Sequence, residues 1–107
     1  CVHSVDSSSK AIDLTRANVQ LNFPNETRHE AFAEDAFKYL ERAGHDYDLI
    51  VLDPPAFAKH KDALRNALKG YTRLNAIAFK KIQKGGILFT FSCFKNNASR
   101  SKKLIFI

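Results

Sequence analysis

The stretch DLIVLDPPAFAK, residues 48 to 59, carries an apolar run into Asp53 and then into two consecutive prolines. Pro54 and Pro55 hold φ at about −65° and keep the chain extended, leaving backbone carbonyls free as acceptors. A rigid, acceptor-rich loop beside a carboxylate suits the amino edge of a flat base. Phe57 lies two residues further on and offers a stacking face for a nucleobase taken out of its stack. The plainer role for that ring is packing under the loop. A second reactive group, Cys93, closes the apolar run ILFTFS, residues 87 to 92. A thiol there is either a small buried residue or, as the thiolate, a nucleophile.

Two further carboxylates, Asp6 and Asp35, follow short β-compatible pieces. Taken singly, each reads as a helix cap, because an aspartate at a helix N-terminus accepts backbone N–H bonds and complements the dipole. The four residues together carry more weight. In open parallel α/β sheets, ligands bind beyond the carboxyl ends of the strands. Asp6, Asp35, Asp53 and Cys93 are all expected there, on one edge of one sheet, and that coincidence calls for a functional reading.

The elements that must position them can be read from periodicity. Val2 to Val5 is a short strand, and Ser7, Ser8 and Ser9 offer caps for a helix starting near residue 9. That helix is expected to turn Ala11, Ile12, Leu14, Val19 and Leu21 inward, with Pro24 stopping it. Glu30 to Glu34 reads as a second strand. Asp35 then caps AFKYLERAG, whose Phe37, Leu40 and Ala43 recur at helical spacing before Gly44 closes the helix. Tyr47 to Leu52 is the clearest strand, its successive Leu, Ile, Val and Leu predicting cover on both faces. From Lys61 to Lys84 a helical stripe joins Leu64, Ala67, Leu68, Tyr71, Leu74, Ala78 and Ile82, with a break at Gly70 and a stop at Gly85-Gly86. Strands alternating with helices in this way predict a βαβαβαβ order, hence an α/β fold with a parallel sheet and right-handed crossovers.

Composition sets the outer bounds. A chain of 107 residues, 45% hydrophobic and 26% charged, suits one small globular unit with a modest core. It has no run of about 18 apolar residues for a membrane span, and CVHSVDSSSK lacks the order of a secretory signal. A cytoplasmic setting follows as the expectation. Cys1 and Cys93 lie far apart with no CxxC or Cys/His ligand spacing, so spacing suggests neither a zinc site nor a disulfide framework. Seventeen Lys and Arg against eleven Asp and Glu leave a formal charge of +6, which favours polyanionic partners. Lys61, Arg65, Lys69 and Arg73 recur every four residues, forming either a solvated helix face or a stripe that tracks a nucleic-acid backbone.

The whole constellation resembles a class I S-adenosylmethionine-dependent methyltransferase, and more closely the PUA-containing large-subunit ribosomal RNA (cytosine-5) methyltransferases. The resemblance rests on YDLIVLDPPAFAKHK, on the GY within ALKGYTRLNAIAF and on GGILFTFSC, and it covers nearly the whole chain up to Cys93. It implies a partial Rossmann-like fold, a mostly parallel sheet with flanking helices, with residues 1–107 forming one partial domain. It also implies S-adenosylmethionine as methyl donor. Asp6 would hold the ribose hydroxyls with Ser7 beside it, Asp35 would lie by the adenine with Ala36 or Phe37 nearby, and Asp53 would border the donor. Asp53, Pro54 and Pro55, with Phe57, would line the target-base pocket, and Cys93 would be the nucleophile. The implied partner is RNA of the ribosome, with no metal and no membrane.

Family members carry a strand and a glycine-rich loop ahead of the position of Cys1, and another serine and further elements after Cys93. Neither pattern is matched here, so the chain reads as an internal fragment of a catalytic domain. Two rival readings remain open. In an amino-group methyltransferase, Asp53, Pro54 and Pro55 would grip an exocyclic amine, with Cys93 a bystander. In a noncatalytic Rossmann-like binding fragment, no donor would bind.

Overall fold

A computed structural model of the chain describes residues 1–44, 46–54, 64–93 and 102–106, with backbone alone at Leu64, Ala67, Ser92, Cys93 and 102–106. The chain divides into two units, Cys1–Arg42 and Ala43–Ile107.

The first unit is a βαβα arrangement. Strand β1 (Val2–Asp6) leads into helix α1 (Ser9–Asn22), then strand β2 (His29–Ala33) and helix α2 (Ala36–Arg42). β1 and β2 pair in parallel, with Val2 opposite His29 and Asp6 opposite Ala33. The Val2 N–H donates to the Arg28 carbonyl at 2.7 Å and the Glu34 N–H to the Asp6 carbonyl at 3.0 Å, so bonding extends past both strand ends. Ser8 is the cap of α1, its hydroxyl accepting from the Ala11 N–H at 3.3 Å. The helix ends just before Phe23, whose N–H still reaches the Val19 carbonyl, and Pro24 follows.

The inward face of α1 is narrower than the apolar pattern predicts. Ile12 is 1% exposed, whereas Leu14 and Leu21 are 63% and 80% exposed. Ile12 and Val19 are seven residues apart and share one side, but Leu14 lies two positions on, roughly 200° around the helix. In α2 the buried residues are Tyr39 and Leu40 rather than Phe37 and Ala43. Strand β2 begins one residue earlier than expected, at His29.

The second unit contains strand β3 (Tyr47–Leu52), helix α3 (Leu64–Lys81), strand β4 (Ile82–Cys93) and strand β5 (Lys102–Phe106). β3 pairs with β4 in parallel, while β4 pairs with β5 antiparallel. Parallel pairing of β5 was never open to the chain: residues 94–101 are too few for a crossover, which takes about a dozen residues or more. The core is formed by Ile50 and Leu52 of β3, Tyr71, Leu74 and Ala78 of α3, and Leu88 of β4.

Several expectations are corrected here. One parallel sheet was expected; among the described residues the strands pair as a two-stranded sheet, β1–β2, and a three-stranded sheet, β3–β4–β5. β3 is not covered on both faces: Ile50 and Leu52 are each 8% exposed, but Leu49 and Val51 are 52% and 58% exposed. An apolar run records that both faces are greasy, not that something packs on both. Gly70 does not break α3, whose hydrogen bonding tolerates a single glycine at modest cost. The buried stripe ends on Lys81 instead of Ile82: Lys81 is 8% exposed and its Nζ donates to the Ala43 carbonyl at 2.6 Å. Leu68 is 48% exposed.

Gly85-Gly86 does not stop the helix. It lies within β4, where the register shifts between the Tyr47–Ile82 and Leu49–Ile87 pairs. Gly85 has φ +86°, and a Cβ on Gly86 would lie 2.7 Å from Ile82 Cγ1 and 2.9 Å from the Asp48 carbonyl oxygen. The irregularity needs glycine for two reasons, a left-handed backbone and close approach of the neighbouring strand.

Candidate functional site

Asp6 ends β1 and is exposed. Its Oδ1 accepts the Ser8 N–H at 2.7 Å, which shapes the turn into α1 through the exposed bend residue Ser7. Asp35 sits two residues beyond β2 and caps α2: its Oδ1 accepts from the N–H groups of Phe37 at 3.0 Å and Lys38 at 3.1 Å. Ala36 is the first residue of that helix and is half-buried. Asp35 therefore performs the capping task open to it from sequence, whereas Asp6 holds the turn before α1 and leaves the cap to Ser8; both lie at the carboxyl edge of the β1–β2 sheet.

Asp53 follows Leu52 at the end of β3. It is exposed and takes no hydrogen-bond or ion-pair partner among the described residues. Pro54 beside it is half-buried, while Pro55 and Phe57 lie outside the described residues. Cys93 is the last residue of β4, opposite Lys102 of β5. Leu52 pairs with Thr90, so Asp53 and Cys93 both fall at the carboxyl ends of adjacent parallel strands. By residue count Cys93 extends roughly 7 Å further along the strand direction. Asp6 and Asp35 belong to the β1–β2 sheet, Asp53 and Cys93 to the β3–β4–β5 sheet.

Charge is arranged differently around the two. Arg42 pairs with Glu34 at 2.5 Å and lies over the rings of Tyr39 and Phe32, 4.8 and 5.5 Å from their centroids. Its guanidinium holds the Glu34 carboxyl below the usual carboxylate range. Arg28 does the same to Glu26, bringing it down to about 2. On α3, Arg65, Lys69 and Arg73 are exposed, while Lys61 lies outside the described residues.

A further constellation was not legible as a site. Cys1 just before β1, His3 of β1 and Glu30 of β2 bring a thiol, an imidazole nitrogen and a carboxylate oxygen within 4.8 Å of one another. Its sequence trace is a Cys-x-His spacing at the start of β1; Glu30 joins through the pairing of His3 with Glu30.

Among the described residues, no helix is long and apolar enough to cross a membrane. No protein-family model matches the chain. The chain is similar to proteins named "Ribosomal RNA large subunit methyltransferase I" from Escherichia coli O139:H28, Escherichia coli strain K12 and Shigella boydii serotype 18. In each case it is 42% identical over 95 residues, 86% of this chain. The matched stretch amounts to 24% of the relative's length, so the chain spans about a quarter of the proteins it matches.

Proposed function

We propose that the chain is part of the catalytic domain of an S-adenosylmethionine-dependent RNA methyltransferase that acts on C5 of a cytosine in large-subunit ribosomal RNA. The reading is carried by the parallel β3–α3–β4 unit, with Asp53 and Cys93 at the carboxyl ends of neighbouring strands, in a chain similar to proteins named for ribosomal RNA methylation.

The residues of the first unit fit a methyl donor. An ionised carboxylate has about four lone-pair sites. Asp6 is exposed, and the Ser8 N–H at Oδ1 leaves it capacity to accept from a ribose diol. Asp35 is likewise exposed with both backbone bonds on one oxygen, and Ala36 and Phe37 beside it offer apolar surface to an adenine. The bound donor supplies an electrophilic sulfonium methyl group.

Asp53 accepts from the exocyclic amine of the target base, with the proline carbonyls after it as further acceptors and Phe57 as the stacking face. Cys93 answers the weak nucleophilicity of C5. Its thiolate adds to C6, forming an S–C6 bond and moving an electron pair to C5, which takes the methyl group from the sulfonium. Removal of the C5 proton by a base then lets that pair expel the thiolate, breaking S–C6 and restoring the enzyme. Arg65, Lys69 and Arg73 lie against the RNA backbone.

The test is methylation of large-subunit ribosomal RNA by the full-length protein, followed by nucleoside analysis. C5-methylcytosine is expected, and Cys93→Ser should cut turnover at least about a thousandfold while donor affinity is retained. A methyl group on the exocyclic amine, made equally well by Cys93→Ser, would overturn the adduct and leave Asp53, Pro54 and Pro55 gripping an amine. Replacing Arg65, Lys69 and Arg73 together by Gln should weaken RNA binding and flatten its salt dependence by up to about three counterions. An unchanged salt slope would return α3 to a purely structural role.

A further inference from the structure

We infer that Cys1, His3 and Glu30 form a zinc-binding site on the β1–β2 sheet. Cys1 immediately precedes β1, two residues before His3, and His3 lies directly opposite Glu30 in the parallel ladder. Sγ of Cys1 is 3.4 Å from Nε2 of His3 and 3.9 Å from Oε1 of Glu30, and Nε2 and Oε1 are 3.9 Å apart. Tetrahedral coordination with ordinary zinc bond lengths separates sulfur, nitrogen and oxygen ligands by about 3.3–3.6 Å. The three atoms therefore reach coordination distance by moving a few tenths of an ångström.

The histidine is already oriented for that task. Its Nδ1 is hydrogen-bonded to the hydroxyl of the buried Tyr39, and its ring meets those of Phe32 and Tyr39 edge-on at 5.4 and 6.1 Å. When Nδ1–H donates to the Tyr39 oxygen, the lone pair lies on Nε2, the atom facing Cys1 and Glu30. A ligand histidine with its second nitrogen held this way is the usual arrangement around a bound metal. A thiolate, an imidazole and a carboxylate form a donor set that zinc accepts readily, with water completing the fourth position. Binding forms the metal–sulfur bond at the expense of the thiol S–H, whose proton passes to solvent.

Placement assigns the role. The ligands sit toward the amino end of the strands; Asp6 is three residues beyond His3, about 10 Å along the strand. The metal would not touch the carboxyl edge. It would clamp β1 to β2 and, through Tyr39, hold α2 against the same sheet.

The experiment is a cobalt titration of the full-length protein under reducing conditions, with zinc as competitor. One equivalent of Co²⁺ should produce a thiolate-to-cobalt charge-transfer band that zinc abolishes, and zinc should raise the thermal midpoint. Cys1→Ser should remove the band, and Cys93→Ser should keep it. Glu30→Gln and Tyr39→Phe should each weaken zinc binding about tenfold or more with the circular dichroism of the fold unchanged. Cys1 and Glu30 are exposed, so their variants are expected to fold. Absence of a saturable band, a band that survives Cys1→Ser, or a band lost in Cys93→Ser would each overturn the site.

Discussion

The first unit ties Asp6 and Asp35 into its own backbone; in the second, no described residue ties Asp53. Asp6 and Asp35 each accept backbone N–H bonds at the start of a helix, so each holds a turn in place as well as facing the carboxyl edge of its sheet. Asp53 ends an equivalent parallel strand, yet no described residue takes its oxygens. A carboxylate that already shapes its loop can serve a ligand only with its remaining acceptor sites. One without such duties presents its full acceptor capacity to whatever enters. The contrast predicts which substitutions disturb fold and function together and which disturb function alone.

Among substitutions that test this contrast, the largest effect should come from Asp53→Asn. If this carboxylate works on the reacting base, turnover by the full-length enzyme should fall by about 10²–10⁴-fold. As an exposed side chain with no partner among the described residues, it should leave stability within about 0.5 kcal/mol of the parent. A clear loss of stability in this variant would erase the distinction between the two units.

Gly86→Ala tests the opposite dependence in the second unit. Its new Cβ would lie 2.9 Å from the Asp48 carbonyl oxygen, and backbone cannot swing aside as a side-chain tip does. A destabilisation of about 1–3 kcal/mol is expected in chemical denaturation. Parental stability would mean that the β3–β4 register tolerates slippage at its bulge.

Asp35→Ala should cost about 1 kcal/mol through the lost cap of α2 and, in addition, weaken donor binding measured by calorimetry. Asp35→Asn keeps the cap and removes the charge. It should restore most of the stability without restoring donor affinity. Recovery of both together would assign Asp35 to the helix alone.

Local pattern carried much of the architecture. The serine cap before α1, the Asp35 cap of α2, the limits of β3 and the alternation of strands with helices all follow from interactions within a few residues of one another. Propensity and capping act at that range, which is why they can be read from a single chain. The acids at or just past the ends of β1, β2 and β3 were legible for the same reason, since strand direction alone puts them at the carboxyl edge.

What neighbours do was not legible. YDLIVL predicts an apolar strand, but only packing decided that Ile50 and Leu52 are covered while Leu49 and Val51 stay exposed. The division of the strands between two sheets is likewise a matter of which edges meet, and no local signal encodes it. The Cys1–His3–Glu30 cluster makes the point at atomic scale. Its first two members are neighbours in sequence, but Glu30 arrives through the register of β1 on β2, and Tyr39 arrives through the packing of α2 on β1. Residue types and local order were determined by the sequence itself. The assembly of those types into sites was decided by long-range register and burial, because the free energy that selects them belongs to contacts between segments distant along the chain.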